Sequence, residues 1–366
     1  MPSDQFRILI KSIGNAQPAA SVAIAQGLNL PTAVVVSRLY SAPSILIDGI
    51  DEVTATGITK LLSELGFEAE VQDTALPAPE APVLYDVAIY VKDARQFQYA
   101  IEKISEFTGI IEEDAARMIM SPPGVILGSV SKATVDVLSK QLEPDISVLS
   151  SQPDVARYHL FLSKDGGETL HRRILQDLEN TGLKLCGITG LVATDIDHAT
   201  ARLLWQRHQA SGLLRIVNQD FLHFDLVLQK PEINKKLTPA QVETLEKIAG
   251  IPEEMAENVL CAAPITLLES VSHNEITPLM AAFAKTGLTI QANLITFQML
   301  GLEVQSLSDP VSTQQALEGF GLHNQGVPLP RPPFVLPGVM PELQARITRA
   351  ALEDTGAQLS YVEAQA

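Results

Sequence analysis

Residues 45–71 read ILIDGIDEVTATGITKLLSELGFEAEV. The first six residues are an apolar, isoleucine-rich run, which predicts a strand ending at Gly49-Ile50. Val53 to Leu65 carries apolar side chains at helical spacing, and Gly66 is suited to end that helix because glycine adopts the left-handed conformation at little cost. Phe67 to Val71 reads as another strand. The stretch therefore predicts a strand, a helix, a glycine turn and a second strand.

The same pattern recurs along the chain. A β-rich run from Thr266 to Val271 precedes a helical stretch, Glu275 to Thr286, and Gly287 then leads into a strand from Leu288 to Leu294. The turn residue before the helix and the glycine after it are 17 positions apart in the pairs Gly49/Gly66, Asp195/Gly212 and Ser270/Gly287, and 18 apart in Gly338/Gly356. Successive helix ends at Gly66, Glu143, Gly212, Gly287 and Gly356 are 77, 69, 75 and 69 residues apart. We therefore predict about five tandem repeats of roughly 70 to 77 residues.

Each repeat is expected to begin with a further strand and a helical hairpin. In the second copy Phe97, Ile101, Ile104 and Phe107 form one apolar helical stripe, and a second helix follows from Glu112 to Met120. The predicted order is β-α-α-β-α-β, an α/β class fold of α+β sandwich units in which helices cover one face of a small three-stranded sheet. The predicted boundaries are 1–74 for repeat 1, 83–151 for repeat 2, 156–220 for repeat 3, 222–296 for repeat 4 and 299–366 for repeat 5, with repeats 3 and 5 divergent.

The segment between repeats 1 and 2 has the composition of a spacer. Thr74 to Pro82 is rich in proline and alanine, which favours an extended, semi-rigid linker. It predicts that repeat 1 moves relative to the rest of the chain.

Composition excludes several classes of function. The 366-residue chain has a net charge of −17 and a pI near 4.8, which argues against nucleic acid as a partner because phosphate binding needs clustered Lys and Arg. No signal peptide and no integral membrane segment are apparent, so a cytoplasmic location is expected. Cys186 and Cys261 form no metal or disulfide motif and are expected to be buried. Trp205 is expected in the core or between repeats.

The stretch from Leu245 to Pro264, with Leu267 to Glu275 and Lys285 to Ile290, resembles the C-terminal domain of the bacterial ribosomal stalk protein L7/L12. That resemblance implies the α+β fold and a partner-binding surface on the second helix of the motif, which is basic in the stalk family. Here the equivalent helices carry acidic residues: Glu112, Glu113 and Asp114 in repeat 2, and Glu253, Glu254 and Glu257 in repeat 4. Reversed charge excludes the same electrostatic steering toward the same partners, so the resemblance implies the fold and not the ribosomal role.

Repeat 2 also resembles the related ClpS adaptors, through Tyr90-Val91-Lys92-Asp93 and the helix from Glu112 to Met120. That resemblance implies a peptide-binding adaptor, although Lys92 and Ser121-Pro122-Pro123 depart from the residues that form the family's pocket. Proteins of one fold can have different functions, so a ClpS-like peptide-binding adaptor remains an alternative.

No catalytic or cofactor motif stands out. Asp195-Ile196-Asp197-His198 offers two carboxylates and an imidazole for a metal, but Asp197 is equally placed to cap a helix running through Trp205, and we predict the cap. Asp165-Gly166-Gly167 is interpreted as a turn, because the rest of a phosphate-binding motif is missing. We therefore expect no cofactor, no metal and no enzymatic activity; the alternative is an enzyme whose site lies between repeats.

Repeat 5 replaces its second helix with a Gly- and Pro-rich loop, Gly319 to Pro333. Pro328, Pro330, Arg331 and Pro332 are candidate partner-binding residues, because a polyproline segment can dock in an aromatic groove. The alternative is that the terminal repeat has degenerated into a cap. The sequence as a whole predicts a non-enzymatic protein-binding or scaffold protein. It would present an acidic surface to a protein partner, or self-assemble through open strand edges.

Overall fold

The computed structural model describes residues 5–16, 19–142, 144, 146–163, 167–186, 190–230 and 237–363. The chain divides into two compact bodies, an N-terminal half, 1–155, and a C-terminal half, 156–366. The N-terminal half contains repeats 1 and 2, and the C-terminal half contains repeats 3, 4 and 5. The mixed α/β fold of repeated three-stranded antiparallel sheets with helices is confirmed.

The elements follow the predicted order in repeats 1, 2 and 4. Repeat 1 contains β1 (Phe6–Ser12), α1 (Ala19–Gly27), α2 (Thr32–Tyr40), β2 (Ser44–Ile50), α3 (Glu52–Glu64) and β3 (Glu68–Asp73). Repeat 2 contains β4 (Leu84–Val91), α4 (Phe97–Thr108), α5 (Glu112–Met120), β5 (Val125–Ser131), α6 (Lys132–Leu142) and β6 (Ile146–Ser151). Each sheet is centred on its first strand, in the orders β2-β1-β3 and β5-β4-β6.

The C-terminal half repeats this plan with variations. Repeat 3 contains β7 (Arg157–Leu162), α7 (Glu168–Asn180), β8 (Leu191–Asp197), α8 (His198–His208) and β9 (Leu214–Asn218). Repeat 4 contains β10 (His223–Leu228), α9 (Pro239–Ala249), α10 (Glu253–Cys261), β11 (Ile265–Ser272), α11 (His273–Lys285) and β12 (Ile290–Leu294). Repeat 5 contains β13 (Met299–Leu307), α12 (Pro310–Gly319), β14 (Phe334–Val335), β15 (Met340–Pro341), α13 (Glu342–Glu353) and β16 (Ala357–Glu363).

The core of each repeat lies between its sheet and its helices. In repeat 4, Leu226 and Leu228 of the central strand are buried in one cluster with Leu245 of α9, Ala256 of α10 and Phe283 of α11. Because side chains alternate along a strand, the two leucines share the sheet face that the helices cover. The opposite face of the sheet is left for other contacts.

The prediction of a second helix is wrong for repeat 3. Asn180 and Leu191 are separated by only ten residues, three of which are the poor helix formers Gly182, Gly187 and Gly190. The described part of that segment, 181–186 and 190, contains no helix. Repeat 5 likewise has a loop in place of its second helix, as its sequence predicted.

A left-handed residue precedes the last helix in every repeat. Its φ is positive at Gly49 (70°), Ser129 (57°), Asp195 (58°), Ser270 (56°) and Gly338 (79°). In repeats 2 and 4 an aspartate on the central strand accepts the backbone N–H of this residue, from Ser129 to Asp86 (3.1 Å) and from Ser270 to Asp225 (2.9 Å). The turn residue is thereby anchored to the centre of its own sheet.

The longer spacing in repeat 5 also has a structural explanation. The distance along the chain from the N-cap residue of the last helix to the closing glycine is constant. It is 15 positions in the pairs Asp51/Gly66, Asp197/Gly212, Ser272/Gly287 and Pro341/Gly356. The extra residue in repeat 5 therefore falls before its helix, where the second strand is divided into β14 and β15. The span from the start of the last helix to its closing glycine is preserved.

Replacing Ser129 with glycine is expected to stabilise the N-terminal half by about 1 kcal/mol, because a side chain is disfavoured at positive φ. Glycine retains the N–H that bonds Asp86. Ser139, inside α6, provides a matched control, since Ser139→Gly is expected to destabilise by about 0.5 kcal/mol through lost helix propensity. Urea unfolding of the full chain measures both values, and equal effects of the two substitutions would contradict the argument.

Repeat 1 is not the independently moving body that its linker predicted. The Tyr40 hydroxyl donates to the Phe107 carbonyl (2.6 Å), and the two rings meet edge to face with centroids 5.9 Å apart. Thr134 of α6 donates its hydroxyl to the Tyr40 carbonyl (2.7 Å). Burial raises the pKa of Tyr40 to about 12. Arg7 also bonds the carbonyls of Leu76 and Pro77 at the start of the linker, so contacts from both repeats hold the junction.

Two expectations about burial are wrong. Trp205 is 49% exposed, because the adjacent Leu204 occupies the core of repeat 3. Cys261, at the end of α10, is exposed, and Cys186 is only partly buried. Phe221 and Leu222, in contrast, are buried.

Candidate functional site

The acidic residues singled out from the sequence start two equivalent helices. Glu112 and Glu113 at the start of α5 are exposed, whereas Asp114 is paired with Arg117 (2.8 Å). Within the described residues, no ion pair involves Glu112 or Glu113. Carboxylates in a first helical turn stabilise the helix by opposing its dipole, which is one sufficient reason for their position.

Helix α10 presents the same arrangement in repeat 4. Glu253, Glu254 and Glu257 are exposed, and none of them is paired with a cation in the described parts of the chain. Each acidic helix start lies beside an exposed apolar side chain, Ile111 (62% exposed) for α5 and Met255 (53%) for α10. The two helices belong to different halves, and each forms a small acidic and apolar surface.

The Pro-rich loop of repeat 5 is attached to the body of the repeat. Leu322, Leu329 and Phe334 pack against its core, and the His323 ring bonds the Val327 carbonyl (2.6 Å). The four candidate residues of this loop lie within five positions of one another. Pro328, Pro330 and Arg331 are exposed, and Pro332 is partly buried. The loop is thus a fixed surface feature.

The helix-cap prediction for Asp197 is confirmed. Its carboxylate accepts the Thr200 N–H (3.0 Å) and the Thr200 hydroxyl (2.9 Å), and these bonds lower the pKa of Asp197. Asp195 faces Arg157 (3.8 Å), and His198 bonds the Tyr158 hydroxyl (3.2 Å). The acidic and imidazole side chains of this tetrapeptide therefore have separate partners. Asp165 and Gly166 lie outside the described residues, and Gly167 precedes α7 as its N-cap.

The sequence did not reveal a cleft of about 830 Å³ whose lining comes mainly from repeats 3 and 4. One wall is the face of the repeat 3 sheet opposite its helices: Leu160 points into the core, whereas His159 and Phe161 line the cleft. Arg215 is the register partner of Phe161 on the neighbouring strand and lines the same wall. The second wall comes from β12 and the segment that follows it, including Phe297.

Aromatic rings form part of the lining of this inter-repeat cleft. The Phe161 and Phe297 centroids are 4.8 Å apart at an interplanar angle of 59°. The Arg215 guanidinium lies 5.8 Å from the Phe297 centroid, within cation–π range. Amides of Gln291 and Asn293 line the opening from β12. An apolar cavity with a few polar groups at its edge is the usual composition of a small-molecule site.

Two histidines, His159 of repeat 3 and His273 of repeat 4, contact each other across the boundary between these repeats. The rings of His159 and His273 are edge to face with centroids 6.0 Å apart. Burial lowers the pKa of both. The Nδ1 atom of each ring is buried and has no hydrogen-bond partner in the described part of the chain. Burial therefore favours the uncharged form of both rings.

Sequence reasoning missed this cleft because its residues come from different repeats. The one local signal is the alternation on β7, where His159 and Phe161 place aromatic rings on the face that does not contact helices. No family model, curated protein or solved structure matches this chain. Among the described residues, no helix has the length and apolarity needed to cross a bilayer.

Proposed function

We propose that this protein is a non-enzymatic scaffold whose tandem repeats, related to the L7/L12 C-terminal domain, bind a basic protein partner in the cytoplasm. The observation that carries this proposal is the recurrence of one exposed surface. Helices α5 and α10 both begin with glutamates that form no ion pair within the described residues, and each start lies beside an exposed apolar side chain. The resemblance to the stalk family supports it, because that family binds partners through this helix. Reversed charge indicates a partner with Lys and Arg at its interface.

The test is charge reversal at the two helix starts. The variant E112K/E113K/E253K/E254K is compared with E64K/E80K/E179K/E269K, which changes the net charge equally at exposed glutamates outside α5, α10 and the helices that pair with them. The wild-type chain is used to capture proteins from the native cell extract. The captured amount is expected to be roughly tenfold lower with the first variant, because electrostatic steering is lost. The control variant should capture as much protein as the wild-type chain does. Equal capture by both variants would refute the proposal.

Self-association is a second candidate function. The described strands form five separate sheets, and each outer strand pairs only with the central strand of its own repeat. Such edges are templates for pairing with another chain. Light scattering over a range of protein concentrations is expected to show growth in mass if edge pairing builds an assembly. A mass that stays at one chain would remove this candidate and leave the partner-binding proposal standing.

A further inference from the structure

The inter-repeat cleft has the size and lining of a ligand site. Its volume of about 830 Å³ lies in the range of small-molecule pockets, roughly 300–1,000 Å³. That volume suits a molecule of one to three rings and is too small for a folded partner.

The walls favour a flat, aromatic occupant. Phe161 and Phe297 provide two ring surfaces at 59° to one another, and His159 adds a third on the same wall as Phe161. Aromatic rings stabilise each other in tilted and offset arrangements, with contributions of about 0.5–1.5 kcal/mol per pair. Because Phe161 and Phe297 already contact each other, a planar ligand ring packs against this pair and against His159 rather than between the two phenyl rings.

The charge of the cleft favours an anion. Arg215 is the one permanently charged side chain among the described residues that line it. No carboxylate of the described chain forms an ion pair with Arg215, although the protein carries an excess of acidic residues. A guanidinium binds carboxylates through two parallel hydrogen bonds. A single negative charge would balance this arginine, whereas a dianion would add excess negative charge to an acidic protein.

We propose that the cleft between repeats 3 and 4 binds a small planar aromatic carboxylate, with its ring packed against the Phe161–Phe297 pair and its carboxylate on Arg215. The Gln291 and Asn293 side chains provide further amide donors at the opening. This site is independent of the acidic helix starts on which the proposed scaffold function rests.

Isothermal titration of the full chain with four probes tests the site. The probes are 2-naphthoate, 2-naphthylmethanol with the same ring and no charge, cyclohexanecarboxylate with the same charge and no aromatic ring, and adenosine monophosphate. We expect 2-naphthoate to bind at least tenfold more tightly than the other three, because only it provides both the ring and the single charge. Absence of 2-naphthoate binding, or comparable affinities for the matched pair of naphthyl probes, would overturn the proposal. Tighter binding of adenosine monophosphate would also overturn it, in favour of a nucleotide.

Variants of the lining residues test whether 2-naphthoate binds in the cleft. Arg215→Gln is expected to weaken 2-naphthoate roughly tenfold or more, because a charged hydrogen-bonded pair is lost. Phe297→Leu is expected to weaken it about threefold to tenfold through loss of ring contacts. Arg202→Gln, an exposed arginine on α8 outside the cleft lining, is the matched control and should leave the affinity unchanged. Circular dichroism verifies that each variant is folded, and unchanged affinity in a folded Arg215→Gln protein contradicts the assignment.

Discussion

Replacing Phe283 with alanine is expected to lower the free energy of unfolding of the C-terminal half by about 3–5 kcal/mol. Phe283 is fully buried and belongs to the core shared by the repeat 4 sheet and its three helices. Truncation removes ring contacts on all sides and leaves a cavity that close-packed neighbours fill only in part. A repeat of about 70 residues has a small core, so one such cavity is a large fraction of its stability.

Hydrogen exchange of the full chain, read by mass spectrometry, locates this effect. Protection should fall mainly in repeat 4, residues 222–296, with the N-terminal half as an internal reference. Phe320→Ala is the matched control, since Phe320 is 42% exposed and its truncation should cost much less. A loss of stability below about 1 kcal/mol for Phe283→Ala would show that the site is not the packed core described above.

Acidification is expected to destabilise the C-terminal half by up to about 3 kcal/mol through one residue, His223. Burial lowers its pKa from the ordinary value of 6.5 to about 4. The charge of Arg346 on α13 also lowers this pKa, whereas a backbone hydrogen bond with Phe221 and the charge of Glu275 on α11 raise it. The unfolded chain therefore takes up a proton before the folded chain does. Stability is complete above pH 6.5 and is lost as the pH falls toward about 4.

The measurement is the pH dependence of urea unfolding for wild type and His223→Gln. The wild-type stability should fall between about pH 7 and pH 5, and the variant should show a shallower slope whatever its absolute stability. His323→Gln, in the loop of repeat 5, is the control and should keep the wild-type slope. All seven histidines lie in the C-terminal half, so the N-terminal half should lack this transition in hydrogen exchange. Identical slopes for wild type and His223→Gln would refute the assignment.

Local signals explain what could be predicted from the sequence. The α5 boundaries, Glu112–Met120, follow from an acidic first turn and the prolines after the helix, and the observed helix has those limits. The Asp197 cap and the glycines closing each last helix depend on backbone conformation within a few residues. Repeat 3 departs because ten residues containing three glycines cannot supply two turns and a helix.

Contacts between repeats could not be predicted in this way. His159 and His273 are 114 positions apart, and nothing in either local sequence marks them as neighbours. The same holds for Phe161 and Phe297, which form the aromatic walls of the cleft. Trp205 shows the converse error: the sequence predicts this residue in the core or between repeats, but the core position belongs to its neighbour Leu204 and Trp205 is 49% exposed.

The sequence by itself determined the repeat, its strand and helix order, its turns and the acidity of its equivalent helices, because each of these depends on neighbouring residues and their periodicity. The tertiary structure alone decided which sheet faces meet, that Tyr40 and Phe107 join repeats 1 and 2, and that Arg215 stands beside Phe297. The physical reason is that side chains facing away from a repeat's own helices have no local partner. Their environment is set by another repeat, whose position depends on the packing of the whole half.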